Sequence, residues 1–376
     1  MIFKKVKTFL KKNFPLISNK LIEMRDRGYL NRILNNFIFV KFNKNIHGKK
    51  IINDEKDFVL DFSKNNYISY TIRPKKVKDI VSQEKLYEEN DTAIIIQGSL
   101  FGVTDFVSET IDLYLKNFKD SKIILSTWKD SLSEKINLKY KDKIIVIENE
   151  KPEGNIFNTN LQIISTYNAL MCAKKLNLNY CLKTRTDCRV YNTNTINHLK
   201  NLQKLFPINK DFKNLSQRII SCSIDTRKFR VYGLSDILLF GATNNLLNYF
   251  KNEMYEESLK KDFGNYPCII NETAVINEIF LCARFLKSLG LNLDWTLEDW
   301  WKKCGDIFCV VDPSSIDFFW FKYHWQYEQR FLNNYTTNYS QALNFSDWLN
   351  LYLNKNFTFE KQNKEVWKIK NGLIVQ

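Results

Sequence analysis

At 376 residues the chain holds two or three domains' worth of mass, and 44% hydrophobic with 14% aromatic residues supply a core that a disordered chain lacks. Gly (11) and Pro (6) are too scarce for a collagen-like or low-complexity chain, and no apolar run approaches the ~20 residues of a membrane-spanning helix. The formal charge of +15 suits an anionic partner, whether nucleic acid, a membrane surface or a small acidic ligand, although a composition rich in Lys, Asn and Ile accounts for part of it.

Residues 1–30 carry eight basic and two acidic residues. Ile2, Phe3, Val6, Phe9 and Leu10 share one helical face bordered by lysines, and Pro15 limits that helix. Such a stripe fits an anionic bilayer surface through residues 1–15, and equally a helix docking on its own core. With no long apolar stretch or cleavage site behind it, the segment is not a secretory signal, so a cytoplasmic protein is expected, peripheral on the inner face of the membrane if the stripe binds lipid. Residues 31–90 mix short apolar stretches with charge and complete a basic N-terminal region at 1–90.

The pattern then alternates. Strands are predicted at 92–96, 121–127, 143–148 and 180–184, with helices at 104–118 and 161–176 between them. Two further strands, RIISCSI (218–224) and DILLFG (236–241), precede a helix for which Asn271 is a plausible cap. Near-continuous apolar strands alternating with helices predict an α/β fold, a mostly parallel sheet flanked by helices, over 91–300. Residues 301–376 lose the alternation and read as an aromatic-rich C-terminal extension.

Ligands of such sheets sit beyond the carboxyl ends of the strands, which selects the residues to inspect. Lys183-Thr184-Arg185-Thr186-Asp187-Cys188-Arg189 puts cations around one carboxylate at such an edge, so the segment is either solvated or faces an anionic ligand. Guanidiniums bind phosphate oxygens bidentately, and a carboxylate among them can hold a divalent ion or orient a sugar hydroxyl. Gln97-Gly98 ends the first strand without dinucleotide or P-loop spacing, leaving a glycine that permits close backbone approach. Trp128 could stack on a base or belong to the core. Asn158, Asn160 and Gln162 enter a helix, where amides could read a base or phosphate or simply cap the turn. Asp236, Glu272 and Glu278 are the carboxylates available as a general base. Eight cysteines form no Cys-x-x-Cys pair and read as reduced, mostly buried thiols, and the three histidines are widely separated.

Four stretches, IIIQGSL (94–100), SETIDLYLKNFKDSKIILSTWKD (108–130), NTNLQIISTYNALMCAKKLNLNYCLKTRTDCRV (158–190) and SDILLFG (235–241), together resemble the WavE-type lipopolysaccharide-synthesis family. A looser match covers 276–290. The resemblance implies a GT-A-like nucleotide-sugar fold and a glycosyltransferase acting in lipopolysaccharide or capsule synthesis, with a nucleotide-sugar donor and a glycan or lipid-linked acceptor. It implies donor contacts by Gln97, Gly98, Trp128, Gln162 and Asp187, and a base among Asp236, Glu272 and Glu278. GT-A enzymes carry a DxD motif that binds Mg²⁺ or Mn²⁺ and the diphosphate. Here that position reads Arg185-Thr186-Asp187, so only Asp187 is left as a metal ligand, and the arginine could replace part of the cation's charge. Two alternatives remain: a phospho-sugar or other phosphoryl-group transferase, and a non-catalytic membrane-surface binding protein. Nucleic acid is disfavoured, because the basic residues are scattered and no nucleic-acid-binding signature is present.

Overall fold

The computed structural model describes residues 61–62, 67–68 and 89–375, except 132–133, 153–157, 210, 252–253, 255–276, 322–341, 360–367 and 371–372. The chain divides into two compact units, 1–72 and 73–376. In the first, β1 (Asp61–Phe62) pairs antiparallel with β2 (Tyr67–Ile68). The amphipathic segment at 1–15 lies outside the described residues.

The second unit is built on a seven-stranded sheet. Its strands are β3 (Thr92–Gln97), β4 (Lys122–Trp128), β5 (Ile145–Asn149), β6 (Tyr180–Arg185), β8 (Ile219–Cys222), β9 (Leu239–Ala242) and β10 (Phe308–Val311), in the order β10-β8-β9-β6-β3-β4-β5. Strands β5, β4, β3 and β6 run parallel, β9 is antiparallel to both neighbours, and β10 is parallel to β8. Thr92-Ala-Ile-Ile-Ile-Gln is buried along its whole length because helices cover both faces of this central strand. This is the expected α/β fold, mostly parallel and flanked by helices.

Helix α1 (Thr104–Asn117) covers one face, and α3 (Thr159–Lys175) the other. Between them α2 (Glu134–Tyr140) joins β4 to β5, and α4 (Thr195–Leu205) precedes β8. Helix α5 (Thr243–Phe250) packs on α3, and α6 (Asn277–Ser288) packs on α5. The first described residue of α6 is Asn277, so its expected cap, Asn271, lies outside the described residues.

The boundary expected at 300/301 does not hold. It falls inside α7 (Leu297–Ile307), which runs directly into β10 at the sheet's edge. Arg218 fixes this corner, its guanidinium donating to the carbonyls of Phe206, Pro207, Gly305 and Phe308. Helix α8 (Phe345–Leu353) then packs on α7 and β10, with the Trp348 indole donating to the Phe308 carbonyl at 2.8 Å. A separate ribbon pairs β7 (Cys188–Val190) antiparallel with β11 (Phe318–Trp320). The aromatic-rich tail is therefore part of the same unit, and its apolar residues read as an extension only because their strand partners are far away in sequence. Seven described cysteines are free thiols, all but Cys172 buried. No helix among the described residues is long and apolar enough to cross a membrane.

Candidate functional site

The strand order reverses direction at β3, between β4 and β6, which opens a crevice at their carboxyl ends. Register pairs Gln97 with Arg185 and Ile95 with Lys183, while Gln97 also opposes Ser126. Paired residues of parallel strands share a face, so Gln97, Ser126, Lys183 and Arg185 all lie on the α3 side. Two contacts fix that assignment: Ser126 Oγ donates to the Ser165 carbonyl at 2.7 Å, and Lys183 Nζ lies 3.5 Å from Gln162 Oε1. Gly98 continues from β3 at φ +134°, and a Cβ there would stand 2.7 Å from Thr186 Oγ1. Only glycine suits that backbone and that approach. Thr186 ties the two turns together, its N–H donating to the Gln97 carbonyl at 3.0 Å and its hydroxyl to the Ser99 carbonyl at 2.8 Å.

Arg185 and Asp187 form a bidentate pair, Nε to Oδ1 at 3.0 Å and Nη2 to Oδ2 at 3.3 Å. The Trp320 indole adds a donor to Oδ2 at 2.9 Å, and the Cys188 thiol lies 3.6 Å from Oδ1. Burial would raise the Asp187 carboxyl, but the Arg185 charge and these donors hold it below its ordinary value. Burial likewise opposes the charge on Arg185, and Asp187 reverses that, leaving the guanidinium more firmly protonated than usual. The Arg185 side chain remains 27% exposed, against 11% for Asp187, so the cation is the more accessible member of the pair.

A second cluster adjoins the first. The Lys183 ammonium is fully buried and donates to the Asp236 backbone carbonyl; burial lowers its pKa while the Asp236 carboxylate opposes. Asp236 is itself buried, and its Oδ2 has no hydrogen-bond partner among the described residues. Glu278, from the first described turn of α6, is pushed up to about 8, first by burial and then by the Asp225 and Asp236 carboxylates. Arg230 Nη1 stands 4.0 Å from Glu278 Oε2 and opposes this, but its Nη2 already reaches Asp225 Oδ1 at 3.3 Å. Burial would raise Asp225 too, and Arg230 with Arg227 keeps it low. The arrangement sets a protonatable carboxyl, Glu278, beside those of Asp225 and Asp236, and Asp236 in turn lies within electrostatic reach of Arg185.

The structure thus brings together Gln97, Gly98, Gln162, Lys183, Arg185, Asp187, Asp236 and Glu278. Glu272 lies outside the described residues. Arg189, expected among the phosphate-binding cations, is committed elsewhere: it donates to Thr110 Oγ1 at 2.9 Å and to the Phe106 carbonyl at 3.0 Å, and its guanidinium lies over the Phe106 ring. Trp128 is the last residue of β4 and is buried, so it offers no open face for stacking. Asn160 is buried in the first turn of α3.

Four residues at this edge escaped the reading of the sequence. Asp225 and Arg230 follow β8 in Asp225-Thr-Arg-Lys-Phe-Arg230, a charged run after an apolar strand like the one after β6. Phe101 lies 81% exposed between Gly98 and Gly102, a bare aromatic in the loop after β3. Trp320 carried no signal, since nothing local shows that β11 returns to β7.

A family model for WavE lipopolysaccharide synthesis matches residues 93–374. No curated protein matches the sequence. Among solved structures, a cytidylyltransferase from Leptospira borgpetersenii serovar Hardjo-bovis is similar at 13% identity and TM-score 0.29, over 45% of this chain and 66% of that one. The chain thus spans just under two thirds of that relative. A glycosyltransferase involved in glycosylation of the major capsid of PBCV-1 is similar at 11% identity and TM-score 0.26, over 47% of this chain and 71% of that one.

Proposed function

The chain belongs to the WavE lipopolysaccharide synthesis family, and from that premise we propose that it is a glycosyltransferase that moves a sugar from a nucleotide donor to a surface-glycan acceptor, with a GT-A-like arrangement of donor and base. The observation that carries this reading is a partly exposed guanidinium at the carboxyl end of β6 whose neighbour Asp236 also adjoins Glu278, a carboxyl pushed up to about 8.

Each group has a task in the reaction. Arg185 stabilises the charge that builds on the departing nucleotide phosphate, and Asp187 holds it in place. The Gln97 amide and the close backbone at Gly98 contact the donor, and the exposed Phe101 ring stacks on its base. Glu278 takes the proton from the acceptor hydroxyl as that oxygen bonds to the anomeric carbon. The bond from that carbon to the phosphate oxygen breaks, and the nucleotide leaves with its electron pair. Buried Asp236 keeps Glu278 basic enough for this role.

Acceptors of this kind are carried on lipid, so we place the enzyme at the inner face of the cytoplasmic membrane, held by the lysine-bordered stripe at residues 2–12. The purified chain is to be incubated with UDP-, GDP- and CMP-sugars and assayed for hydrolysis and transfer. Activity toward one donor that collapses in Arg185→Ala and Glu278→Gln supports the assignment. Activity untouched by both substitutions contradicts it, and a product that retains the donor phosphate would make the chain a phosphoryl-group transferase instead.

A further inference from the structure

We propose that the site grips its phosphorylated leaving group without a divalent cation, the Arg185 guanidinium standing where the ion would be and Asp187 serving to position it. This deepens the donor reading above and rests on it.

The residues present do not fit Mg²⁺ or Mn²⁺ at Asp187. Its Oδ1 already faces Arg185 Nε and the Cys188 thiol, and its Oδ2 faces Arg185 Nη2 and the Trp320 indole. A metal ion entering there would displace these donors and sit beside a fixed guanidinium, a like charge in a poorly solvated place. The residue two positions earlier, where a second carboxylate would be required, is that arginine. Among the described residues no group of three His, Cys, Asp or Glu side chains is arranged to hold a metal ion.

The same contacts make Arg185 a suitable substitute. A guanidinium offers five N–H donors, and Asp187 takes two of them. No acceptor among the described residues takes the other three, and the side chain keeps 27% of its surface exposed. Arg185 is also held from behind: the Trp320 ring lies 5.7 Å from its guanidinium carbon, and the Phe321 N–H donates to the Asp187 carbonyl at 2.8 Å. The fork is thus presented rigidly, which is what bidentate phosphate recognition needs and what an ammonium cannot reproduce. In charge terms, one cation with one carboxylate replaces a dication with two, so the site can receive a diphosphate or monophosphate without the ion.

Calorimetric titration of the full chain with UDP, GDP, CMP and inorganic pyrophosphate, in EDTA and in MnCl₂, tests this. The dissociation constant of the best ligand should agree within about twofold between the two buffers. Arg185→Lys keeps a cation but loses the fork, and should raise that constant roughly tenfold in both. Asp187→Asn, which keeps an acceptor for Trp320 but removes the charge that fixes Arg185, should raise it several-fold in both. Circular dichroism melts run beside each variant separate lost binding from lost fold. Binding seen only with Mn²⁺, or Arg185→Lys binding like the parent, overturns the proposal and leaves the donor reading standing. Failure of every nucleotide and of pyrophosphate in both buffers overturns the donor reading and the proposal together.

Discussion

Glu278 is the residue at which chemistry and stability pull in opposite directions. Its carboxyl would ordinarily titrate near 4.5, and in the folded protein it is pushed up to about 8. Between those values the unfolded chain has released a proton that the folded one keeps, so this group's contribution to stability falls as pH rises from about 4.5 to about 8. Asp225 acts the other way: held low by Arg230 and Arg227, it contributes fully above 3.8 and loses that contribution as pH falls further. Glu278→Gln should therefore flatten the decline in melting temperature across pH 4.5 to 8. It should also lower kcat by roughly 10²- to 10⁴-fold while leaving the nucleotide dissociation constant unchanged. In the parent, kcat/KM should climb with pH toward about 8, because only the ionised carboxylate accepts the acceptor's proton. A pH-rate profile that is flat over this range would remove Glu278 as the base. At this scale the sequence was only partly legible. Arg185 and Arg189 stand in the same charged run, and nothing in that run tells them apart. The partners that divide them, Asp187 with Trp320 for one and Thr110 with Phe106 for the other, are set by the turn at 186–187 that separates β6 from β7 and by distant helices and strands.

Among elements, the β7–β11 ribbon is the one that braces the Arg185–Asp187 pair, and it was the least legible. The strands around the crevice announce themselves: Ile94-Ile95-Ile96 and Ile123-Ile124-Leu125 are continuous apolar runs, and β3 and β6 match their expected bounds to within a residue. β7 is three residues long and carries an arginine at its centre, and β11 is three aromatics. Neither has a pattern of its own, and their pairing spans over a hundred residues. Yet β11 delivers the indole that fixes Asp187. Trp320→Phe keeps an aromatic ring beside Arg185 and removes the N–H together with part of the indole's bulk. The loss should cost about 2 kcal/mol, the scale of a hydrogen bond to a charged group. With Arg185 less firmly positioned, nucleotide affinity should weaken several-fold in titration while the fold persists. Unchanged affinity with an unchanged melting temperature would mean the indole does not govern the pair. Helix α7 treats the loop after β8 in the same way, Trp301 donating to the Lys228 carbonyl at 2.6 Å and Trp300 to that of Arg227 at 3.4 Å.

Over the whole molecule, the pieces that make the site come from both ends of the second unit, 73–376, so its integrity is global. Gln97 comes from the first central strand, Arg185 and Asp187 from the strand beside it, Glu278 from α6, and Trp320 from beyond residue 300. The expected extension reads as separate because alternation of strands and helices ends there. Physically, β10 closes the sheet edge and supplies carbonyls to buried Arg218. A chain ended at residue 300 should fail to fold, since it strips β8 of its parallel neighbour and leaves the Arg218 guanidinium without two of its acceptors. A cooperative melt from that fragment would show the tail to be dispensable. The molecule also offers a rival place for a ligand: a polar cavity of about 490 Å³ at the opposite sheet edge, lined by residues including Asn177, Asn179, Tyr180, Gln217 and Asn244. Hydrogen exchange of the full chain, with and without its best-binding nucleotide at saturation, decides between the two. Protection concentrated at 97–102, 183–189 and 225–236 is the predicted result. Protection at 174–180, 216–217 and 242–244, with the carboxyl edge unchanged, would contradict the account at its root.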